Sequence, residues 1–478
     1  MKAILTLILV LSSSFCQFLG AQVNQKNRVI ILTDIEADPD DTQSLIRLLL
    51  YSNVINIEGF IATTSTHQKN NVHPESIQRV IHAYRKVQVN LTKHEAGFPD
   101  ADALLLLVKQ GIPEYGMQGV GDGKDSQGSD WIIKVLEEND ERPLWISVWG
   151  GPNTLAQALC KIRKTKSETE ARKLIAKLTV YAISDQDDSG IWIRKNFPDL
   201  FYIVSPGGYE SATWSAINQF VPGINNEVIS NGWLAQNIQE GHGPLGAIYP
   251  DVAYGMEGDT PSWLSLIPNG LNEPEHPDWG GWGGRYEKYL PLYSSLDTGG
   301  FTGGVPVKPE PRAIWTNAVD RYAPYVHNEF GRAVRTDTIP YTSNKVTLWR
   351  WRDDFQNDFA ARMDWCTKSY REANHPPVPA LGHPEQLGVR SGEIFSLDAS
   401  GTTDPDGDSV SYLWFQYPEA GSYKELMKFA SAENLCKVFV IAPEVEKNET
   451  AHFILKATDK GKPELSRYKR VIVNISPK

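Results

Sequence analysis

The sequence has few cysteines and few long apolar runs, the features that mark small disulfide-rich proteins and membrane proteins. Only four cysteines occur in 478 residues. Three of them lie beyond the N-terminal segment, at Cys160, Cys366 and Cys436, and their number is odd and their spacing wide. Neither a disulfide framework nor a thiolate metal site is therefore predicted. Beyond residue 21 no apolar run reaches the ~20 residues that a bilayer span requires, so no membrane span is predicted.

Basic residues are also in the minority. The chain has 47 lysines and arginines against 58 aspartates and glutamates, which gives a formal net charge of −11. Proteins that bind nucleic acid neutralise phosphates with clustered basic residues, so nucleic acid is not an expected partner. Small neutral ligands or cations suit this charge better. The 14 tryptophans and 19 tyrosines could stack on carbohydrate, but aromatic residues are ordinary core material as well.

The first 21 residues have the order of a secretory signal peptide. A positive charge at Lys2 precedes an apolar run from Ile4 to Val10, and the small residues Gly20 and Ala21 precede a polar stretch. Charge, apolar core and small-residue cleavage site occur in this order in signal peptides. We therefore expect cleavage near Ala21 and a secreted or periplasmic mature protein.

Strand-like and helix-like segments alternate through the first half of the mature chain. Such alternation favours an α/β fold with a mainly parallel sheet and helices on both faces. In that class of fold, ligands bind beyond the carboxyl ends of the strands. The predicted strands are residues 28–33, 57–63, 144–149, 178–183 and 201–205, and the helical patterns include 42–50, 75–85 and 154–161.

The second half of the chain has a different residue composition. Residues 255–312 are rich in glycine, proline and tryptophan and predict long loops, and residues 354–362 predict a helix. A proline-rich linker follows at residues 375–379. Several short alternating strands then predict an immunoglobulin-like all-β sandwich, whose acidic turn at 398–408 is either a calcium site or a solvated loop. The expected units are 1–21, signal peptide; 22–330, α/β domain; 331–375, helical connection; and 376–478, β-sandwich.

The strongest chemical signal follows the first predicted strand. Between Asp34 and Asp41, five of eight residues carry a carboxylate. Carboxylates this close repel one another unless they are protonated or bridged by a cation. Calcium, which prefers many oxygen ligands, is the natural bridge. The alternative is an exposed acidic loop in which Asp40 or Asp41 caps the helix, but a position between a buried strand and a helix favours the cation.

This segment resembles the signature of the nucleoside hydrolase family, an apolar strand followed by Asp-x-Asp-x-x-x-Asp-Asp and a helix. Aligned without gaps, Asp34 takes the first position, Glu36 the second and Asp40-Asp41 the last pair. The resemblance implies that Glu36 is the general base and a calcium ligand, and that Asp41 is a second ligand. Asp34 and Asp40 are implied substrate contacts, with Asp40 a further catalytic candidate.

Other segments fall in the order that this family would have. The loop from Trp149 to Ala156 resembles the loop whose main-chain carbonyl binds the metal, with Asn153 at that position. Asp259 corresponds to the family's late aspartate ligand. The family's early asparagine has only an approximate counterpart at Thr66-His67, which makes His67 a candidate substrate contact.

Nearly the whole mature chain resembles a subgroup of secreted bacterial nucleoside-hydrolase-like proteins that are often labelled cellulose-binding and carry a C-terminal β-sandwich. The sequence departs from the nucleoside hydrolase pattern at three positions, since Glu36 is one methylene longer than the family's base, Asp38 replaces a glycine, and Gly258 replaces a histidine. The residue that protonates the leaving group is therefore open. The candidates, each of which could equally be a loop hydrogen-bonding residue, are Asp185, Asp187, Asp188 and His242.

The resemblance implies a secreted, calcium-dependent glycosyl hydrolase that cleaves an N-glycosyl or O-glycosyl bond. The alternative is a carbohydrate-binding protein that kept the metal site and lost turnover. In either case a carbohydrate or glycoside is the expected partner, and Trp279, Trp282 and Tyr286 are the predicted stacking platforms. Their Gly-Gly-Trp-Gly-Gly surroundings could place an indole at a pocket rim or pack it inward.

Overall fold

The computed structural model describes residues 25–327, 333–335 and 340–478. The predicted signal peptide, residues 1–21, lies outside the described residues. The strands are β1 (Asn27–Thr33), β2 (Ile55–Ala62), β3 (Val108–Gln110), β4 (Leu144–Val148), β5 (Leu178–Ala182), β6 (Phe201–Val204), β7 (Tyr286–Tyr289), β8 (Ile314–Asn317), β9 (Asp320–Tyr322), β10 (Tyr325–His327), β11 (Ala333–Arg335), β12 (Tyr341–Ser343), β13 (Gln386–Arg390), β14 (Ile394–Asp398), β15 (Ser411–Gln416), β16 (Lys428–Phe429), β17 (Lys437–Ile441), β18 (Glu449–Thr458) and β19 (Ser466–Ser476). The α-helices are α1 (Asp40–Leu49), α2 (Pro74–His94), α3 (Ala101–Leu106), α4 (Gln127–Glu137), α5 (Asn153–Thr165), α6 (Glu168–Ile175), α7 (Ser189–Asn196), α8 (Asn231–Leu234), α9 (Gly243–Gly246), α10 (Pro261–Leu264), α11 (Val346–Trp349) and α12 (Arg352–Asp364).

An eight-stranded sheet forms the centre of the main domain, with the strand order β3-β2-β1-β4-β5-β6-β8-β7. All neighbouring strands are parallel except the edge pair β7 and β8. Side chains alternate between the two faces of a strand, so Val29 and Ile31 enter one apolar core while Ile30 and Leu32 enter the other. Burial on both faces explains why the centre of β1, residues 29–32, is apolar. The predicted α/β fold is confirmed.

The carboxyl ends of the central strands lie side by side. Thr33 of β1 is level with Ala62 of β2, and Leu32 of β1 is level with Val148 of β4. Val148 is in turn level with Ala182 of β5. The loops that leave these strands therefore meet at one edge of the sheet, which is where the predicted site residues fall.

The C-terminal unit is an all-β sandwich. Its four-stranded sheet has the order β13-β19-β18-β15, and its three-stranded sheet has the order β14-β17-β16. A third apolar core lies within this unit, and it includes Trp414, which is fully buried. The predicted C-terminal β-sandwich is confirmed. Its boundary at residue 376 remains a prediction, since Asn374 and His375 already bond to the sandwich residues Asp459 and Asp406.

The junction between the main domain and the sandwich contains buried ion pairs. Asp320 accepts hydrogen bonds from Arg285 (2.7 Å) and Arg350 (3.1 Å) of the main domain and from Tyr417 (2.6 Å) of the sandwich. In a second group, Asp358 of α12 pairs with Arg467 of β19. In a third, Asp354 of α12 pairs with Lys456 of β18 (2.6 Å).

The predicted stacking platforms lie at or below this junction rather than on a free surface. Trp282 has no exposed surface and donates from its indole nitrogen to the Tyr468 hydroxyl at 3.3 Å. Tyr286 is 2% exposed and bonds to Tyr181. Trp279 is stacked on His276, with ring centroids 4.0 Å apart, and faces His452 of the sandwich. The prediction that Trp282 and Tyr286 stack on a ligand is therefore wrong, because both rings are interior packing.

Every helix in the described part of the chain is too short or too polar to cross a membrane. The three described cysteines are free thiols.

Candidate functional site

Strand β1 and helix α1 bring most of the acidic segment to the carboxyl edge of the sheet. Asp34 follows β1 directly and is 3% exposed. Asp40 and Asp41 lie in the first turn of α1, where the positive end of the helix dipole favours acidic side chains. Thr33, the last residue of β1, donates its hydroxyl to Asp41 and so ties the helix to the strand.

Asp38, Asp40 and Asp41 approach one another closely. Each offers one carboxylate oxygen, and these oxygens all lie within 4.8 Å of one another. The backbone N–H of Asp40 also donates to Asp38 Oδ1 at 3.0 Å. Asp34 and Asp259 complete the group electrostatically, since their charges act on these side chains. We call the five residues Asp34, Asp38, Asp40, Asp41 and Asp259 the acidic cluster.

The charges of the acidic cluster are not compensated by basic groups among the described residues. Burial raises the pKa of Asp34 to about 6. Burial and the charges of Asp34 and Asp38 raise the pKa of Asp41 well above its usual value. Burial, the hydrogen bond with Asp38 and the neighbouring charges do the same for Asp40. Without a cation, Asp34, Asp40 and Asp41 therefore bind protons at a higher pH than ordinary aspartates do.

Asp259 supplies a second and independent indication of a ligand. It is 2% exposed, and its Oδ2 atom is buried with no hydrogen-bond partner. Burial and the charge of Asp40 raise the pKa of Asp259 well above its usual value. A buried carboxylate oxygen without a partner is costly, and coordination to a cation would supply the missing partner.

Glu36 lies outside the acidic cluster, contrary to the prediction from the ungapped alignment. Its backbone has φ 81°, which turns the side chain away from the cluster. The carboxylate accepts hydrogen bonds from Ser76 and from Arg79 (2.7 Å), and these lower its pKa. Asp38 occupies the place in the cluster that the alignment assigned to Glu36.

Asn153 is the first residue of α5 and is fully buried. Its side chain donates to Thr64 Oγ1 (3.1 Å) and to the carbonyl of Glu114 (2.8 Å), and it accepts from Thr63 Oγ1 (2.7 Å). These contacts hold α5 to the end of β2. Its role as a metal ligand through the main-chain carbonyl stays a prediction.

The three aspartates that follow β5 have different surroundings. Asp185 is bidentate to the buried Arg194, at 2.9 and 2.7 Å, and Arg194 also pairs with Glu310. Asp188 accepts from the backbone N–H of Met117 at 2.8 Å. Asp187 is 1% exposed, accepts from the backbone N–H of Ser189 at 2.7 Å, and has a buried Oδ2 with no partner. Burial raises the pKa of Asp187 to about 7.

The two predicted histidines lie in different places. His67 is exposed and is 3.3 Å from the Tyr209 hydroxyl. Burial lowers its pKa, whereas the nearby charge of Asp38 acts in the opposite direction. His242 is bonded to Asp364 of α12 at 3.0 Å and packs between α9 and α12. His242 thus has its hydrogen-bond partner in α12 rather than in the acidic cluster, and its role in the site stays a prediction.

An aromatic wall beside the acidic cluster was not predicted from the sequence. It consists of Tyr209, Trp214 and Phe301, whose rings meet edge to face with centroids 5.6 and 5.5 Å apart. A Cβ at Gly258 would lie 2.8 Å from Asp40 Oδ2 and 3.0 Å from the Trp214 ring, so the wall and the cluster converge on this glycine. The indole nitrogen of Trp214 is buried without a partner. Aromatic residues scattered through long loops carry no periodic signal, which is why this wall was missed.

Comparison with known protein families identifies the family of this chain. The family model described as "Cellulose-binding Sde182, nucleoside hydrolase-like domain" matches residues 28–286, which is more than half of the chain. The chain belongs to this family. A second model, described as "Cellulose-binding protein Sde0182, C-terminal domain", matches residues 394–475.

A solved structure similar over nearly the whole chain comes from Saccharophagus degradans. It is described as a nucleoside hydrolase-related hypothetical protein that is associated with carbohydrate metabolism. The identity is 36%, the match covers 95% of this chain and 100% of that one, and the TM-score is 0.77. A PKD domain from the KIAA 1837 protein is 17% identical over 21% of this chain and 89% of that one, with a TM-score of 0.17. A search of curated proteins found no match.

Proposed function

We propose that the protein is a calcium-dependent glycosyl hydrolase that acts on a carbohydrate substrate at the acidic cluster. One observation carries this proposal, namely that five buried or half-buried carboxylates meet at the carboxyl edge of the sheet with no basic partner among the described residues. A fold that needed only stability would pair these charges or leave them in water. A cation site accounts for their retention.

The donor set suits calcium. Calcium takes 6–8 oxygen ligands and is commonly bound by aspartate carboxylates. The cluster offers only oxygen donors, three of which lie within 4.8 Å of one another, and Asp259 adds a buried oxygen without a partner. Asp34, Asp41 and Asp259 are buried and would hold the ion. When bound, calcium supplies positive charge that orients hydroxyl groups and lowers the pKa of water.

The half-buried members of the cluster are left to act on the substrate. Asp38, which replaces Glu36 in this role, takes a proton from water as the general base. Asp40 accepts a hydrogen bond from a sugar hydroxyl. Among the proton-donor candidates from the sequence, Asp187 suits the role best, because a carboxyl group with a pKa of about 7 still carries a proton near neutral pH.

The aromatic wall supports carbohydrate as the substrate class. Tyr209 and Trp214 border the acidic cluster, and aromatic rings of this kind pack against the apolar faces of sugars. The family description as cellulose-binding points to the same class of ligand. The cleaved bond is N-glycosyl or O-glycosyl, because an acid and a base on the two sides of a sugar ring serve either. Secretion through the N-terminal signal peptide remains a prediction.

The test is sugar release from a panel of nucleosides and of plant and algal glycans, with calcium and with chelator. We expect release from at least one substrate that stops in chelator and returns with calcium. Calcium-independent release would contradict the metal role.

The second candidate function is carbohydrate binding without turnover, which the family description favours. The Asp38→Asn variant separates the two. An enzyme should lose at least about a hundredfold in turnover, as is typical when a general base is removed, while sugar binding survives. Glu36→Gln is the matched control and should change neither. If the protein binds sugar but releases no product, either unaltered or as Asp38→Asn, the second candidate function is correct.

A further inference from the structure

Glu257 is unusual for a residue that is not itself in the acidic cluster. It lies two residues before Asp259 and has no exposed surface. Its backbone φ is 50°, and among the described residues only Glu36 shares a positive φ without being glycine. A non-glycine residue in this conformation is strained, so the surrounding structure must enforce it.

The Glu257 carboxylate is held from several directions. Arg47 of α1 forms an ion pair with it at 2.6 Å, and neither side chain has any exposed surface. The Tyr249 hydroxyl donates at 2.6 Å and the Thr260 hydroxyl at 2.8 Å. Arg47 also donates to Gln356 of α12, so the pair joins α1 to α12 beneath the cluster.

The backbone around Glu257 is held as tightly. Its N–H donates to the Gln43 side chain at 3.0 Å, and the Thr260 hydroxyl bonds to Ser44 at 3.0 Å. Between Glu257 and Asp259 stands Gly258, where a Cβ would lie 2.8 Å from Asp40 Oδ2. The segment thus has no room to shift toward α1.

The α1 residues that contact the segment from Glu257 to Thr260 lie on one face of the helix. Asp40, Gln43, Ser44 and Arg47 are spaced i, i+3, i+4 and i+7, which places them along a single stripe of an α-helix. The stripe begins with a carboxylate of the cluster and ends with the arginine that binds Glu257. The helix that carries Asp40 and Asp41 therefore also sets the position of Asp259.

We propose that the buried Arg47–Glu257 pair is a positioning device that registers Asp259 against Asp40 and Asp41 in the cation site. This inference rests on the proposed function. Buried ion pairs contribute little net stability compared with apolar residues of similar size. Its retention here is explained by geometry, because a ligand displaced by a fraction of an ångström binds a cation less well.

The test uses the full chain with the double change Arg47→Met and Glu257→Gln, which removes both charges and keeps most of the volume. The matched control is Arg28→Met with Glu58→Gln, a bidentate pair (2.6 and 2.7 Å) at the opposite end of β1 whose side chains are 1% and 14% exposed. Calcium affinity is measured by titration calorimetry. The first double variant should lose about 10- to 100-fold, as is typical when residues that orient metal ligands are replaced, and the control should lose none.

A structural role is excluded by repeating the change in an Asp259→Asn background. If Glu257 acts through Asp259, the double change there should cost less than about twofold, because coupled residues are not additive. Terbium luminescence lifetimes in H₂O and D₂O should show an extra bound water in the Arg47/Glu257 variant. Equal losses in both backgrounds, or unchanged affinity, would overturn the inference.

Failure of the proposed function is distinguishable from failure of this inference. If the unaltered protein binds neither calcium nor terbium, the calcium proposal falls. Crystal structures of the unaltered and double-variant proteins then decide the inference, since the Asp259 carboxylate should move by about 1 Å or more in the variant and stay in place in the control. An unmoved Asp259 overturns it.

Discussion

The carboxyl edge of the sheet and the junction with the sandwich both bury several carboxylates, yet their charges are balanced in different ways. At the junction, Asp320 bonds to two arginines, and Arg467 and Arg362 surround Asp358. In the acidic cluster, Asp40 and Asp259 face other carboxylates. The junction carboxylates are therefore compensated by basic partners, whereas the cluster carboxylates destabilise the fold unless a cation binds.

The pKa values show the same contrast. Burial would raise the pKa of Asp358, but Arg467 and Arg362 more than offset this and hold it below its usual value. Burial raises the pKa of Asp187, near the cluster, to about 7, and nothing offsets it fully. Strongly perturbed acids without a basic partner are a common mark of functional sites. The comparison separates structural acids from functional ones within a single chain.

Removing a carboxylate from the charge-balanced junction should have the largest effect on stability. Asp320→Ala removes the carboxylate that pairs with Arg350 and the only buried carboxylate that pairs with Arg285, and we expect the free energy of unfolding to fall by about 3–5 kcal/mol. Urea denaturation followed by circular dichroism measures it. Glu287→Ala is the control, since Glu287 also pairs with Arg285 but is 53% exposed and should cost less than about 1 kcal/mol. Similar small losses in both variants would show that the junction is not held by charge.

Neutralising one carboxylate of the acidic cluster should instead stabilise the protein when no calcium is bound. In chelator, Asp41→Asn removes a repelling charge and keeps an acceptor for Thr33, so we expect the protein to gain about 0.5–2 kcal/mol. In calcium the order should reverse, because the variant lacks a ligand. Scanning calorimetry with and without calcium measures both signs. Asp102→Asn, at an exposed pair with Arg85, is the control and should change neither. Destabilisation in chelator would contradict the view that the cluster is strained.

The pH dependence of stability should differ between the two regions. The raised pKa of Asp187 means that its contribution is fully present below about pH 4 and is lost as pH rises through about 7. Asp187→Asn removes this loss, so its stability relative to the unaltered protein should rise between pH 5 and 8, by at most about 1.4 kcal/mol per pH unit.

Asp358→Asn is the comparison for that experiment. The lowered pKa of Asp358 means that its contribution is present above about pH 4 and lost only at more acidic pH. The stability difference for this variant should therefore be constant between pH 5 and 8. Thermal unfolding in chelator at several pH values measures both differences, and parallel curves for the two variants would contradict the contrast.

The smallest expected effect concerns the tryptophans of the two regions. Trp214→Ala should weaken sugar binding by about 1 kcal/mol, because its ring borders the acidic cluster. Trp279→Ala should leave sugar affinity unchanged, because that ring is stacked on His276 at the junction. Calorimetric titration with the best substrate measures both. A loss of sugar affinity in Trp279→Ala alone would indicate that the sugar stacks at the junction instead.

Much of the fold could be predicted because its signals are local. The apolar run at 28–33 and the helical spacing after it predicted β1 and α1, and period-two alternation predicted β15 and β18. The concentration of carboxylates between Asp34 and Asp41 was visible for the same reason, although Asp38 was not among the predicted site residues. Asp259 was reached only through resemblance to a family pattern.

The remaining parts of the site depend on backbone turns and on distant contacts. Spacing alone could not tell that φ 81° turns Glu36 toward Arg79 and leaves Asp38 in its place. Nor could it tell that Tyr209 and Trp214 converge on Gly258. Such contacts join residues that are tens of positions apart, and they depend on how loops pack.

The sequence by itself determined the strand and helix order, the parallel sheet, and the presence of an unusual density of carboxylates after β1, because these follow from periodicity and composition. Only the tertiary structure decided which carboxylates lie close together, which tryptophans are buried, and which acids pair with an arginine. The physical reason is that charge balance and burial belong to the surroundings of a side chain. Trp282 illustrates this, since its partner Tyr468 lies in another unit of the fold.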